Sequence, residues 1–174
     1  MFDSNYMRKR KYLAWRAPII CSAIKRTFAP TSVIDFGCAT GDLVRSFNEL
    51  SITALGVDSS ESVFEWAHPE TPILTWDIST PLPTKSKFDL ALCIEVIRFL
   101  SIDQFAGLVA NFITHSKRVF IGYGGEKREW VVKLMEQAGY TLYQPQVQLL
   151  QEKLSEWKTK PAIKAIYHGG MYFV

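Results

Sequence analysis

The sequence predicts an α/β protein built on a doubly wound, mostly parallel seven-stranded sheet, with an antiparallel strand near the C-terminus and helices on both faces. Three observations carry that expectation. Five short apolar runs between Ser32 and Gly122 are separated mostly by amphipathic segments at helical spacing, the alternation that gives parallel strands with helical crossovers. The run Phe88–Val96 is almost continuously apolar, which marks a central strand buried on both faces. Two last apolar runs, Thr141–Leu150 and Ala165–Val174, have only the polar stretch Gln151–Lys160 between them. Without a crossover helix there, one of these strands must run antiparallel.

Taken in order, the chain opens on a helical arm. Ser4 or Asn5 caps a helix through Trp15, and Pro18, tolerated in a first turn, restarts one that reaches Phe28 before Pro30 stops it. Ser32–Phe36 is the first strand, and Gly37 to Gly41 turn tightly into a helix whose Leu43, Val44, Phe47 and Leu50 share one face. Ile52–Val57 is the second strand, a helix follows from Ser59 or Ser60 through Ala67, and Ile73–Trp76 is the third strand. Pro81 and Pro83 make the next crossover, Asp77–Lys87, extended instead of helical. After the fourth strand, Phe88–Val96, Ser101 opens a helix that closes near His115. Arg118–Gly122 is the fifth strand, and Glu126–Ala138 is a helix with Gly139 as its C-terminal cap.

At 174 residues the chain is expected to form one domain, 1–174, with 1–28 as its basic arm. A hydrophobic share of 48% and a mean hydropathy of +0.02 supply the apolar mass of a core and exclude a disordered or collagen-like chain. No run approaches the roughly 18 uncharged apolar residues of a membrane span. Arg8, Lys9, Arg10, Lys11 and Arg16 interrupt the first thirty residues, so no export signal is expected. Cys21, Cys38 and Cys93 are scattered and form no CxxC pair, which argues against a disulfide framework or a metal site and fits a reducing, cytoplasmic setting. The net charge of +3 is uneven: residues 1–28 hold seven basic side chains and one acidic. The remainder is therefore net negative.

Ligands of a doubly wound sheet bind beyond the carboxyl ends of its central strands, where the winding reverses. At those ends stand Asp35-Phe36-Gly37-Cys38-Ala39-Thr40-Gly41, Gly56-Val57-Asp58, Trp76-Asp77-Ile78 and Cys93-Ile94-Glu95, four acids at four strand tips. Gly37 and Gly41 let backbone approach a ligand, and Asp58 follows by about twenty residues, where a carboxylate accepts the ribose hydroxyls of a nucleoside. The glycine spacing misses GxGxxG, and Asp35 would repel a pyrophosphate while suiting a cationic ligand. Each residue also has a plainer role open to it: turn glycines, a helix cap at Asp58, a turn residue at Asp77.

The phrase Val33–Gly41, an acid followed by spaced glycines, resembles the first motif of the class I, Rossmann-like S-adenosylmethionine-dependent methyltransferases. Gly56-Val57-Asp58, Trp76-Asp77-Ile78 and Phe88–Val96 resemble the second, third and fourth, in order, and the resemblance runs from about Pro18 to Tyr140. It implies a small single-domain methyltransferase that binds S-adenosylmethionine and releases S-adenosylhomocysteine. Asp35, Gly37, Cys38, Ala39, Gly41, Asp58, Ser59, Asp77, Ile78 and Cys93 would surround the cofactor, with Cys38 and Cys93 as packing residues. In related folds the arm closes over the cofactor, so Arg8 or Arg16 would meet the methionine carboxylate.

The acceptor side departs from the nearest relatives. Where their fourth motif reads Glu-Val-x-Glu-His-Leu, this chain has Glu95-Val96-Ile97-Arg98-Phe99-Leu100, and their Gly-His-x-Asn loop after the fifth strand is replaced by Tyr123-Gly124-Gly125. Glu95 and Tyr123 are the ionisable residues left at those tips and are the expected catalytic pair. The expected acceptor is a small molecule such as a sugar or other metabolite. The alternatives are a non-catalytic cofactor-binding subunit acting through a partner, and an RNA or DNA methyltransferase, to which the interleaved basic and aromatic residues of Tyr6–Tyr12 point.

Overall fold

The computed structural model describes residues 3–123, 125–160 and 163–174. Its strands are β1 (Ser32–Phe36), β2 (Thr53–Asp58), β3 (Ile73–Thr75), β4 (Leu90–Ile94), β5 (Val119–Gly122) and β6 (Gly170–Phe173). Its helices are α1 (Ser4–Lys11), α2 (Ala17–Phe28), α3 (Asp42–Glu49), α4 (Val63–Trp66), α5 (Ile102–His115), α6 (Arg128–Gln137), α7 (Gln144–Leu154) and α8 (Ile163–Gly169).

Neighbouring residues of a strand point to opposite faces, and here both faces are covered. Val33, Leu92, Phe120 and Tyr172 enter a core with α2, α3 and α7, while Ile34, Phe36, Cys93 and Ile121 enter a second core with α5 and α6. The strand order is β3-β2-β1-β4-β5-β6, with β1 to β5 parallel and β6 antiparallel to β5. β4 is buried along its whole length, as its unbroken apolar run predicts. The winding reverses between β1 and β4, so the tips of these two strands define the switch point.

Among the described residues the sheet therefore has six strands where seven are expected. The segment expected to be a strand over Thr141–Leu150 is mostly α7, which Pro145 opens and which buries Val147, Leu150 and Leu154 at helical spacing. What remains of a seventh strand is an edge contact on β6: Thr141 and Val174 exchange backbone bonds of 2.8 and 3.0 Å, and Leu142 bridges to Phe173. Likewise Ala165–Val174 splits into the end of α8 and β6, because Ile163 and Ile166 bury one helical face against the same core as α7.

The crossover Asp77–Lys87 is not helical, as expected, although it opens with a turn in which Thr80 N donates to the Asp77 carbonyl at 3.0 Å, and Asn111 of α5 bonds to its backbone. Nδ2 donates to the Ile78 and Thr80 carbonyls at 2.8 Å each, and Oδ1 accepts from Leu82 N at 3.2 Å. α5 comes so close that a Cβ on Gly107 would stand 2.0 Å from the Ser79 carbonyl oxygen. Gly107→Ala is thus expected to destabilise the fold by about 1–3 kcal/mol, read as a lower Tm in thermal unfolding. An unchanged Tm would count against this contact.

The arm breaks after Lys11 into a 3₁₀ turn over Ala14–Arg16 before α2 begins. Three contacts hold it across the strand tips: Met7 is buried against Ala39 and Val63, Trp66 Nε1 donates to Ser4 Oγ at 2.7 Å, and Lys11 Nζ pairs with Asp42 Oδ1 at 3.2 Å.

Candidate functional site

The loop after β1 is built from left-handed residues: Gly37 at φ +79°, Ala39 at +49° and Gly41 at +69°. A Cβ on Gly37 would lie 2.3 Å from Val96 Cγ2, and one on Gly41 would lie 2.7 Å from Thr71 Cγ2. Conformation and side-chain packing require these glycines, so room for a ligand is not what the missing Cβ atoms provide. Asp58, at the tip of β2, ties the loop down. Its Oδ2 accepts from Ala39 N at 2.9 Å and its Oδ1 from Ser60 N at 3.0 Å.

Between the tips of β1 and β4 lies a cleft. Asp35 lines it from β1, Cys38 and Thr40 from the loop, Ile94 and the following Glu95 from the end of β4, and Arg10, Leu13 and Arg16 from the arm that roofs it. Its free space of about 50 Å³ is far below the roughly 300–1,000 Å³ of ordinary ligand pockets, so a nucleoside enters only when the arm or its side chains Arg10 and Arg16 give way. Arg16 donates from Nε to the Leu13 carbonyl at 2.9 Å, while Nη1 is buried without a partner. Burial and then Arg10 lower its pKa to about 10, against Glu95 and Asp42, so it stays cationic. Glu95 sits at φ +64°, and its Oε2 accepts from Arg98 Nη2 at 2.7 Å. Its Oε1 is buried without a partner. The buried, unsatisfied donor of Arg16 fits the carboxylate of an amino-acid ligand, and the unsatisfied oxygen of Glu95 is left to accept a proton in the same cleft.

Asp35 is buried and pushed up to about 7, first by burial, then by Asp58, with Arg10 pulling the other way. Asp58 is also raised by burial, opposed by the Ser60 and Ala39 amides. An acid with a raised folded pKa holds more protons folded than unfolded, here between its ordinary value of 3.8 and about 7. Stability of the protein alone therefore falls as pH rises across that window and levels off above it. A cationic ligand favours the ionised form and binds more tightly as pH rises through about 7. In thermal-shift titrations, the Tm increase given by S-adenosylmethionine is expected to grow across that interval, and Asp35→Asn to flatten it. An increase independent of pH in the unsubstituted protein would remove Asp35 from the ligand's surroundings.

The other expected site residues are placed as follows. Cys38 lines the cleft, its thiol pushed well up by burial, so it packs and does not act as a nucleophile. Cys93 is buried in the core beside α5, away from the cleft lining. Ser59 is exposed beyond β2, Ile78 is buried, and Asp77 is exposed with Oδ1 accepting from Ser79 N at 2.9 Å and Ser79 Oγ at 2.7 Å. Arg8 is exposed and donates to Asn5 Oδ1 at 2.9 Å, outside the cleft; Arg10, which the sequence reading passed over, stands in it. Met7 was the available signal, since Arg10 three residues on shares its inward face and Arg8 does not. Tyr123 is buried at the tip of β5 with its ring over Gly125, where a Cβ would meet Oη at 2.2 Å; Gly124 lies outside the described residues. Among the described residues no group of three potential metal ligands gathers.

The doubly wound sheet, with an acid-and-glycine loop after its first strand tied to an acid at the tip of the second, is the arrangement expected of the S-adenosylmethionine-dependent methyltransferase class. Residues 8–123 match the family described as Methyltransferase domain, and the chain belongs to it. It is an S-adenosylmethionine-dependent methyltransferase. The comparison with curated proteins finds no match. Among solved structures, 72% of the chain is similar to 74% of a TehB-like SAM-dependent methyltransferase from Corynebacterium glutamicum, at 21% identity and a TM-score of 0.65. It is also similar to magnesium protoporphyrin IX methyltransferase (ChlM) from Synechocystis PCC 6803 with bound SAM, at 15% identity, 82% and 77% coverage and a TM-score of 0.59. The methyltransferase domain of bacterial CtHen1-C gives 22% identity, 75% and 86% coverage and a TM-score of 0.58. At these identities the likeness is one of fold.

Proposed function

We propose that the chain, acting as one domain with residues 1–28 as its arm, methylates a small-molecule acceptor such as a sugar or other metabolite, with Glu95 taking the acceptor proton. The observation that carries this is the unpartnered, buried Oε1 of Glu95 in the cleft that the arm roofs. Bound S-adenosylmethionine supplies an activated methyl group and its own leaving group. The protein's part is alignment and proton removal. Asp58 accepts the ribose hydroxyls; Ser59, Asp77 and Ile78 flank the nucleoside; Arg16, joined by Arg10 in place of Arg8, meets the carboxylate; and Asp35 faces the cationic end. As the acceptor atom bonds to the methyl carbon and the carbon–sulfur bond breaks, its N–H or O–H proton passes to Glu95, which Arg98 holds in place. Tyr123 orients the acceptor.

No helix of the described residues is long and apolar enough to cross a membrane, and the three cysteines are free and buried; both support a cytoplasmic setting. Incubating the protein with S-adenosylmethionine and a panel of sugars, amines and carboxylates is expected to yield S-adenosylhomocysteine with at least one acceptor, and Tyr123→Phe to raise KM for that acceptor a fewfold with kcat nearly unchanged. No product from any acceptor, with S-adenosylmethionine still bound, would leave a cofactor-binding subunit in place of an enzyme.

A further inference from the structure

The two faces of the arm are built differently. Met7, Arg10, Leu13 and Arg16 turn toward the loop and the cleft. Left outside are Lys9 and Tyr12, the latter 73% exposed. Trp15, 46% exposed, follows and meets Trp157 of the C-terminal turn, with ring centroids 6.0 Å apart. Trp157 leads into the exposed Lys158 and Lys160, and Lys160 N donates back to the Trp157 carbonyl at 2.9 Å, which closes a tight backbone turn there. The Trp15–Trp157 contact thus joins two distant basic and aromatic segments, Lys9–Trp15 and Trp157–Lys160, into one stripe, with Trp157 half-buried against the core and Tyr12 and Trp15 as its exposed rings. Glu156 shares the turn, yet among the described residues no carboxylate forms an ion pair with Lys9, Lys158 or Lys160.

We infer that this stripe binds single-stranded nucleic acid. Rings set between cations offer π faces to unstacked bases and positive charge to the phosphates that link them, and neither interaction depends on base sequence. A duplex keeps its bases stacked inside and gains only the charge. An anionic bilayer needs an apolar helix face to enter it, whereas α1 spends its buried apolar residue, Met7, on the loop and presents polar residues outward. A strand held on the stripe crosses the roof of the cleft from outside. The inference concerns binding alone and does not rest on the acceptor proposed above.

The test is fluorescence anisotropy of a labelled oligouridine of about twelve nucleotides, titrated with the full chain between about 50 and 200 mM salt. Binding is expected to weaken steeply with salt. Lys9→Gln/Lys158→Gln/Lys160→Gln should make the log–log slope shallower by about 2, at about 0.7 for each phosphate no longer neutralised. Tyr12→Ala should weaken binding about fivefold or more with little change in slope. Both variants should keep the wild-type affinity for S-adenosylmethionine by calorimetry, which shows that they fold. The inference is overturned by absence of binding at low salt, by an unchanged slope in the triple variant, or by equal affinity for a duplex of the same length. Tighter capture by phosphatidylglycerol vesicles, abolished in the triple variant, would overturn it in favour of a membrane surface.

Discussion

Glu95→Gln is expected to lower methyl transfer by about 10²-fold or more, with S-adenosylmethionine affinity changed by less than about 1 kcal/mol, because only the acceptor step uses the proton-accepting oxygen. The amide keeps the size of the side chain and can still accept from Arg98, so the cleft persists. A second substitution separates chemistry from architecture. Glu95 holds φ +64°, a region that a non-glycine residue occupies at a cost of about 1–3 kcal/mol. Glu95→Gly therefore relieves the backbone while removing the carboxylate, and should raise or preserve Tm although transfer collapses. If Glu95 served only as the partner of Arg98, Glu95→Gln would leave turnover nearly intact and its pH profile unmoved. That result would remove Glu95 from the chemistry and leave the fold and the cofactor site standing.

Much of the architecture was legible because it follows from local pattern. Val33, Ile34 and Phe36 in β1 and the unbroken run of β4 announce strands covered on both faces, and parallel winding then brings their carboxyl ends together. Asp35, Asp58 and Glu95 could be placed near one another on that ground alone. The C-terminal elements are less legible because Thr141–Leu150 looks like one more short apolar run, whereas the positions that become buried, Val147, Leu150 and Leu154, recur at helical spacing. Pro145 suits the first turn of a helix better than a strand interior. The details of the site are tertiary. That Asp58 accepts from Ala39 N, nineteen positions back in the chain, depends on how β1 and β2 are registered. That Arg10 faces the cleft depends on Met7 finding its pocket between Ala39 and Val63. The left-handed turn at Glu95 has no local signature, since glutamate does not favour it.

Asp58→Ala is the second large effect, and its geometry gives it two sources. The carboxylate already accepts from Ala39 N and Ser60 N and has lone-pair capacity left for ribose hydroxyls. Its removal is expected to weaken S-adenosylmethionine binding by roughly 1.5–3 kcal/mol, the worth of hydrogen bonds to a charged group, or roughly ten- to 150-fold in Kd. Loosening of the loop alone could produce part of this loss. A donor analogue lacking the ribose 2′-hydroxyl separates the two sources by a double-difference measurement. The wild type should bind the analogue more weakly than S-adenosylmethionine, and Asp58→Ala should bind the two equally, because the group that told them apart is gone. If the variant loses affinity but still discriminates, Asp58 is a tether for the loop and the ribose is held elsewhere. If calorimetry finds the affinity of Asp58→Ala unchanged, the tip of β2 is not part of the cofactor site.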